Sequence, residues 1–126
     1  MRRIVAAAIM KENKIMIAKR NYGSLAGYWE FPGGKVEGLE TDAECLCREI
    51  KEELSTDIVV QEYLGKELFT VDTSRYEMSL YRVELINETC KLHVHSEIAW
   101  VDKKELLKYN LAPVDIKLAK KCFGGD

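Results

Sequence analysis

The chain has 126 residues, 19 of them lysine or arginine and 21 aspartate or glutamate, for a net charge of −2. That balance excludes the broad basic surface expected of a protein that binds DNA, RNA or an anionic membrane. With 47% apolar and 32% charged residues it reads as one ordinary globular domain, expected to span residues 1–126.

Taken in order, "RRIVAAAIM" and "KIMIAKR" read as two strands joined by a polar turn at Glu12-Asn13. The apolar run from Ile4 to Met10 follows two arginines, as in a signal peptide, but it ends in "KENK" without a cleavage region, so a strand is expected. "NYGSLAG" is a loop, "YWEF" a short extended piece, and Pro32, Gly33 and Gly34 a second loop. "TDAE" at Thr41 is a capping box that opens a helix to about Leu54. Its core-facing stripe is expected at Ala43, Cys47, Ile50 and Leu54. Strands are expected near Ile58–Tyr63, Lys66–Val71, Glu77–Leu85 and Ile98–Val101. "DKKE" at Asp102 reads as another capping box before a short helix to about Tyr109, and Pro113 suits the first turn of a last helix ending before "GGD". Mixed strands with two or three helices imply an α/β fold whose sheet is buried on both faces.

No segment approaches the roughly 18 apolar residues of a membrane span. None of the four cysteines (Cys45, Cys47, Cys90 and Cys122) forms a C-x-x-C pair, which points to reduced thiols and a cytoplasmic protein rather than a zinc site. His93 and His95 share a strand face and read either as half a metal site or as ordinary buried or surface histidines.

The helix segment "REIKEEL" raises a physical question. At about 100° per residue, Glu49, Glu52 and Glu53 fall on one face, where like charges cost roughly 0.2–0.5 kcal/mol per pair. A hard cation would reverse that cost, since Mg²⁺ takes oxygen ligands from carboxylates and substrate phosphates. Arg48 sits four residues from both Glu44 and Glu52 and is placed to hold a carboxylate. Gly33 and Gly34 allow the backbone to come close to a metal or a phosphate.

Gly34, Glu40, Arg48, Glu49, Ile50, Glu52 and Glu53 follow the spacing G-x5-E-x7-R-E-I-x-E-E, and "WEFPGGKVEGLE" flanks them. This pattern resembles the Nudix box, and the flank is similar to the MutT-like branch of Nudix hydrolases. Ser55-Thr56 departs from the family's closing Gly-apolar pair, which leaves the helix end open. The resemblance implies an α/β/α sandwich with a mixed sheet. It also implies hydrolysis of nucleoside triphosphates to monophosphate and pyrophosphate with Mg²⁺ or Mn²⁺. CTP, dCTP or 5-substituted dCTP is the leading substrate, 8-oxo-dGTP removed from the nucleotide pool is the second, and a non-catalytic nucleotide-sensing module is the rival from another class. A small nucleotide is the expected partner, with no nucleic-acid polymer and no membrane, for a monomer or homodimer.

By the same resemblance Glu49 is the first choice for the general base, with Arg48 and Glu52 beside it. Gly33, Glu49, Glu52, Glu53 and Glu97 are the candidate metal ligands. Glu97 stands in for a family acid whose usual place, six residues before Trp100, holds Val94; it reads equally as an exposed charge. Arg20, Gly34 and Lys35 are candidates for the phosphates, with Arg20 open to the alternative of a strand-end charge. "LAPVDI" resembles the segment that presents a side chain to the base, and an ionised Asp115 would accept from an exocyclic amine such as cytosine's. Asp115 also suits a helix first turn on dipole grounds alone. Phe69, Tyr76 and Tyr28 read either as base-stacking rings or as core.

Overall fold

A computed structural model describes residues 1–124; Gly125 and Asp126 lie outside the described residues. Seven strands form one mixed sheet: β1 (Arg2–Lys11), β2 (Lys14–Arg20), β3 (Trp29–Glu30), β4 (Gly33–Lys35), β5 (Ile58–Val71), β6 (Ser74–Leu85) and β7 (His95–Asp102). Helix α1 is Asp42–Leu54 and α2 is Pro113–Phe123, with a 3₁₀ turn at Lys103–Lys108 between β7 and α2.

β1 runs down the middle, parallel to β6 along one edge. Its side chains alternate between two apolar layers, Val5, Ala7 and Ile9 under α1 and Ala6, Ala8 and Met10 under α2. Small residues at this strand let both helices pack closely, and the result is an α/β/α sandwich. On the other edge β1 pairs with β2 only through Ile9, Met10 and Lys11. The two strands then part, and the space between them takes β4 against Ile4–Ala6 and β3 against Ala18 and Lys19. That splay places the glycine segment and Glu30 at the centre of the sheet.

Several elements differ from expectation. The Pro32–Gly34 segment yields a short strand, because Gly33 approaches β1 so closely that a Cβ would lie 2.0 Å from the Val5 carbonyl oxygen. β5 is one strand of 14 residues, since irregularities near Val60–Glu62 and Tyr63–Gly65 bend it without ending it. On α1 the buried residues are Cys45, Leu46, Ile50, Glu53 and Leu54, whereas Ala43 and Cys47 are exposed. Asp102 accepts from the Lys104 amide and opens a 3₁₀ turn rather than an α-helix. Asp42 at the start of α1 takes hydrogen bonds from Tyr81 and Arg3, tying the helix to the sheet.

The capping box at Thr41 forms as read, with the Thr41 hydroxyl accepting from the Glu44 amide and Glu44 from the Thr41 amide. At the other end Ser55 takes the left-handed conformation itself, with φ of 52°. The helix therefore stops at Leu54 without a glycine, and Ser55 hydrogen-bonds His93 at 2.6 Å. Among the described residues no helix is long and apolar enough to cross a membrane.

Candidate active site

α1 carries its acids to the splay between β1 and β2. Gly34 lies directly under Glu49, and a Cβ there would sit 2.3–2.5 Å from the Glu49 carboxyl atoms. Arg48 organises the acids around it. Its Nε and Nη2 donate to the two Glu40 oxygens at 3.1 and 2.6 Å, and Nη1 donates to Glu49 at 2.9 Å and Glu52 at 3.2 Å. Nη2 also donates to the Lys35 carbonyl at 3.1 Å, which fixes β4 against the helix. The Arg48 guanidinium, with the Glu37 amide, holds the Glu40 carboxyl down at about 2. The carboxylate that Arg48 grips in this fork is Glu40; Glu44 is taken by the helix cap.

Glu53 is the buried acid of the set. Burial pushes its carboxyl up to about 9, helped by the Glu49 hydrogen bond and the charges of Glu49 and Glu30, with the Gly33 backbone pulling the other way. Its Oε1 is buried without a hydrogen-bond partner. An orphaned carboxyl oxygen, two neighbouring acids and a cradle that only glycine leaves open suit a hard divalent cation. Among the described residues no three His, Cys, Asp or Glu side chains already stand at ligand spacing. Arg48 draws Glu49 and Glu52 to itself, so a cation would compete with Arg48 for their oxygens.

Glu97 lies elsewhere. It pairs in register with Lys19, its side chain is 57% exposed, and its carboxylate is 3.7 Å from Lys19 Nζ. Lys19 follows Ile15 and Ile17 by strand alternation, on the face that packs under α2 and away from the acids of α1. The strand irregularity at Arg20 instead turns His95 toward the acids. The His95 side chain is fully buried, with Nε2 2.9 Å from Glu30 and 4.0 Å from Glu53. His93 and His95 therefore do not form a joint site. The Glu30–His95 pair was not singled out from sequence, although Glu30 stands inside "WEFPGG".

Beside the acids opens a cleft of about 710 Å³ whose lining includes Arg20, Gly33, Gly34, Lys35, Phe69 and Tyr76, with Asp115 also on its wall. Tyr28 is not part of that lining. Phe69 and Tyr76 are cross-strand partners stacked at 5.2 Å and 14°, and the Lys35 ammonium lies 5.8 Å from the Tyr76 ring centre. Arg20 lies over Tyr22 at 4.6 Å and 3.5 Å from Glu30. Asp115 reaches the cleft because Asn110 and Ala112 are clasped to Trp29 by backbone bonds on either side of Leu111, which starts α2 against β3. It is 3% exposed and accepts from the Phe31 amide at 2.9 Å. Burial pushes its carboxyl up to about 7, against the pull of the Phe31 amide.

A splayed mixed sheet, a capped acidic helix over a double glycine, and a cationic cleft define the Nudix architecture. The NUDIX domain family matches residues 4–121. The chain is 38% identical to the CTP pyrophosphohydrolase of Escherichia coli (strain K12), covering 91% of this chain and 86% of that one. It is 34% identical to the "Putative 8-oxo-dGTP diphosphatase 2" of Mycobacterium tuberculosis (strain H37Rv), over 89% of this chain and 81% of that one. The solution structure of the E. coli ORF135 protein superposes with a TM-score of 0.85 at 35% identity, covering 96% of this chain and 87% of that one. The chain belongs to the Nudix family and is a Nudix hydrolase.

Proposed function

We propose that the chain hydrolyses nucleoside triphosphates to monophosphate and pyrophosphate in a divalent-metal-dependent reaction, with cytidine nucleotides (CTP, dCTP or a 5-substituted dCTP) preferred. The observation that carries the substrate class is a carboxyl, Asp115, buried on the wall of a cleft that Gly34, the residue lying under Glu49, also lines. Glu49, Glu52 and Glu53, with the Gly33-Gly34 backbone, are the residues that would hold Mg²⁺ or Mn²⁺. Such an ion supplies an acidified water and neutralises phosphate charge. Glu49 accepts the proton of the attacking water, Arg48 gathers the Glu49 and Glu52 carboxylates and offsets their repulsion, and Arg20 and Lys35 bind the phosphates. Phe69 and Tyr76 give the nucleoside an aromatic wall, and Asp115 accepts from the exocyclic amine of cytosine. Glu97 has no part in this set. The M. tuberculosis relative's name favours 8-oxo-dGTP as a second reading. A pyrophosphate-release screen across CTP, dCTP, dUTP, dGTP and 8-oxo-dGTP tests both, and a wild type fastest on 8-oxo-dGTP would transfer the assignment to the second.

A further inference from the structure

Among the described residues, three side-chain polar atoms are buried without hydrogen-bond partners: Arg20 Nε, Glu53 Oε1 and His95 Nδ1. All three belong to residues around one carboxylate, that of Glu30. A carboxylate only accepts, so the His95 ring carries its hydrogen on Nε2 and donates it to Glu30 Oε2 at 2.9 Å. The other Glu30 oxygen stands 3.5 Å from Arg20 Nε, an ion pair without a hydrogen bond. The Arg20 guanidinium rests on the Tyr22 ring at 4.6 Å, and the residue borders the cleft.

A buried donor without a partner is costly, so Arg20 Nε and Glu30 have a strong reason to close on each other. What restrains Glu30 is its bond to His95, whose own position is fixed by the strand irregularity opposite Arg20. We propose that His95 is a positioning residue which holds Glu30 back from Arg20 and so keeps the Arg20 guanidinium on Tyr22, turned to the cleft for the phosphate chain. This rests on the reading of Arg20 as a phosphate-binding residue. Without the His95 donor, Glu30 closes on Arg20, draws the guanidinium toward the sheet and competes with phosphate for its charge.

The probe is inorganic tripolyphosphate, whose binding needs neither a base nor turnover, titrated calorimetrically alongside steady-state kinetics with dCTP. His95→Leu removes the donor while filling the space. It should weaken tripolyphosphate binding and raise KM about tenfold with kcat within about threefold, the scale of one hydrogen bond to a charged group. His95→Gln places an amide donor near the Nε2 position and should restore binding to within about threefold of wild type. Adding Glu30→Gln to His95→Leu removes the competing charge and should recover most of the lost affinity. Should His95→Leu fail to fold, His95→Asn, whose amide is too short to reach Glu30, takes its place with the same expectation. Wild-type affinity in these donor-less variants, or a fall in kcat alone, would overturn the proposal. So would loss in His95→Gln equal to that in His95→Leu, which marks a packing role. A wild type that binds tripolyphosphate but cleaves no cytidine nucleotide leaves the His95 role standing and overturns only the substrate reading; one that does not bind it overturns the His95 role.

Discussion

Asp115 shows how burial sets a single residue's chemistry. Its carboxyl stands at about 7 in the fold against 3.8 in water, so protonation favours the folded state. The stability it contributes is full below the unfolded value and is lost as pH rises through about 7. Asp115→Asn keeps the acceptor for the Phe31 amide and carries no charge. It should therefore be more stable than wild type at pH 8 by on the order of 1 kcal/mol, and close to it near pH 4. Thermal melts at both pH values measure this, and an equal gain at both would contradict it. The same variant should narrow the dCTP-to-dUTP ratio of kcat/KM about tenfold, because an amide can turn and donate to uracil. Glu49→Gln should lower turnover by about two orders of magnitude while nucleotide binding survives, the mark of a lost general base. The acids were legible in the sequence because helical spacing converts directly into a shared face. Glu30 and His95 were not, since their contact joins strands 65 residues apart through a strand irregularity that no local pattern announces.

At the scale of elements, α1 and β4 act as one unit, and the two glycines separate their duties. The three atoms nearest an added Cβ at Gly34 all belong to the Glu49 carboxyl, the end of a flexible side chain, whereas at Gly33 they belong to the Val5 and Ala6 backbone. Gly34→Ala should thus fold nearly as well as wild type yet lose most activity by displacing Glu49. Gly33→Ala should lose stability first, by more than about 2 kcal/mol, because the β4–β1 pairing itself must give. Denaturation midpoints against initial rates separate the two, and equal stability losses would refute the division. The start of α1 was readable from Thr41 and Glu44, whose chemistry is local. Its buried stripe was displaced from the expected one because α1 packs against β4 as well as β1 and β5: the Cys45 thiol faces the Lys35 carbonyl at 3.4 Å. β4 read as a loop since Pro-Gly-Gly carries turn chemistry, and only the close approach to β1 makes it a strand. Ser55 in a left-handed conformation leaves stability unclaimed, and Ser55→Gly should add about 0.5–1 kcal/mol by melt.

Across the whole molecule, the two cores fix the sheet while the splay between β1 and β2 leaves an acidic centre that is electrostatically frustrated when no cation is present. Glu53 carries that frustration: burial and the charges of Glu49 and Glu30 push its carboxyl up to about 9. A raised pKa makes the metal-free fold most stable below the usual carboxylate range and progressively less so as pH rises toward 9. Mg²⁺ held by these acids, as proposed, would add stability through linkage and favour the ionised form, so its effect should have the opposite slope. The expected outcome is a rise in melting temperature with millimolar Mg²⁺ that is larger at pH 8.5 than at pH 6. Glu53→Gln removes the ionisation and one proposed ligand together. Its metal-free melting temperature at pH 8.5 should exceed that of wild type by a few degrees, about 1 kcal/mol for a domain of this size, and its Mg²⁺ response should largely vanish. Differential scanning fluorimetry over a matrix of pH and Mg²⁺ reads all of these values, with Ca²⁺ as a second oxygen-seeking ion. A Glu53→Gln protein that keeps the full Mg²⁺ shift would remove Glu53 from the ligand set, and a wild-type shift that ignores pH would mean that the cation binds away from the buried carboxyl.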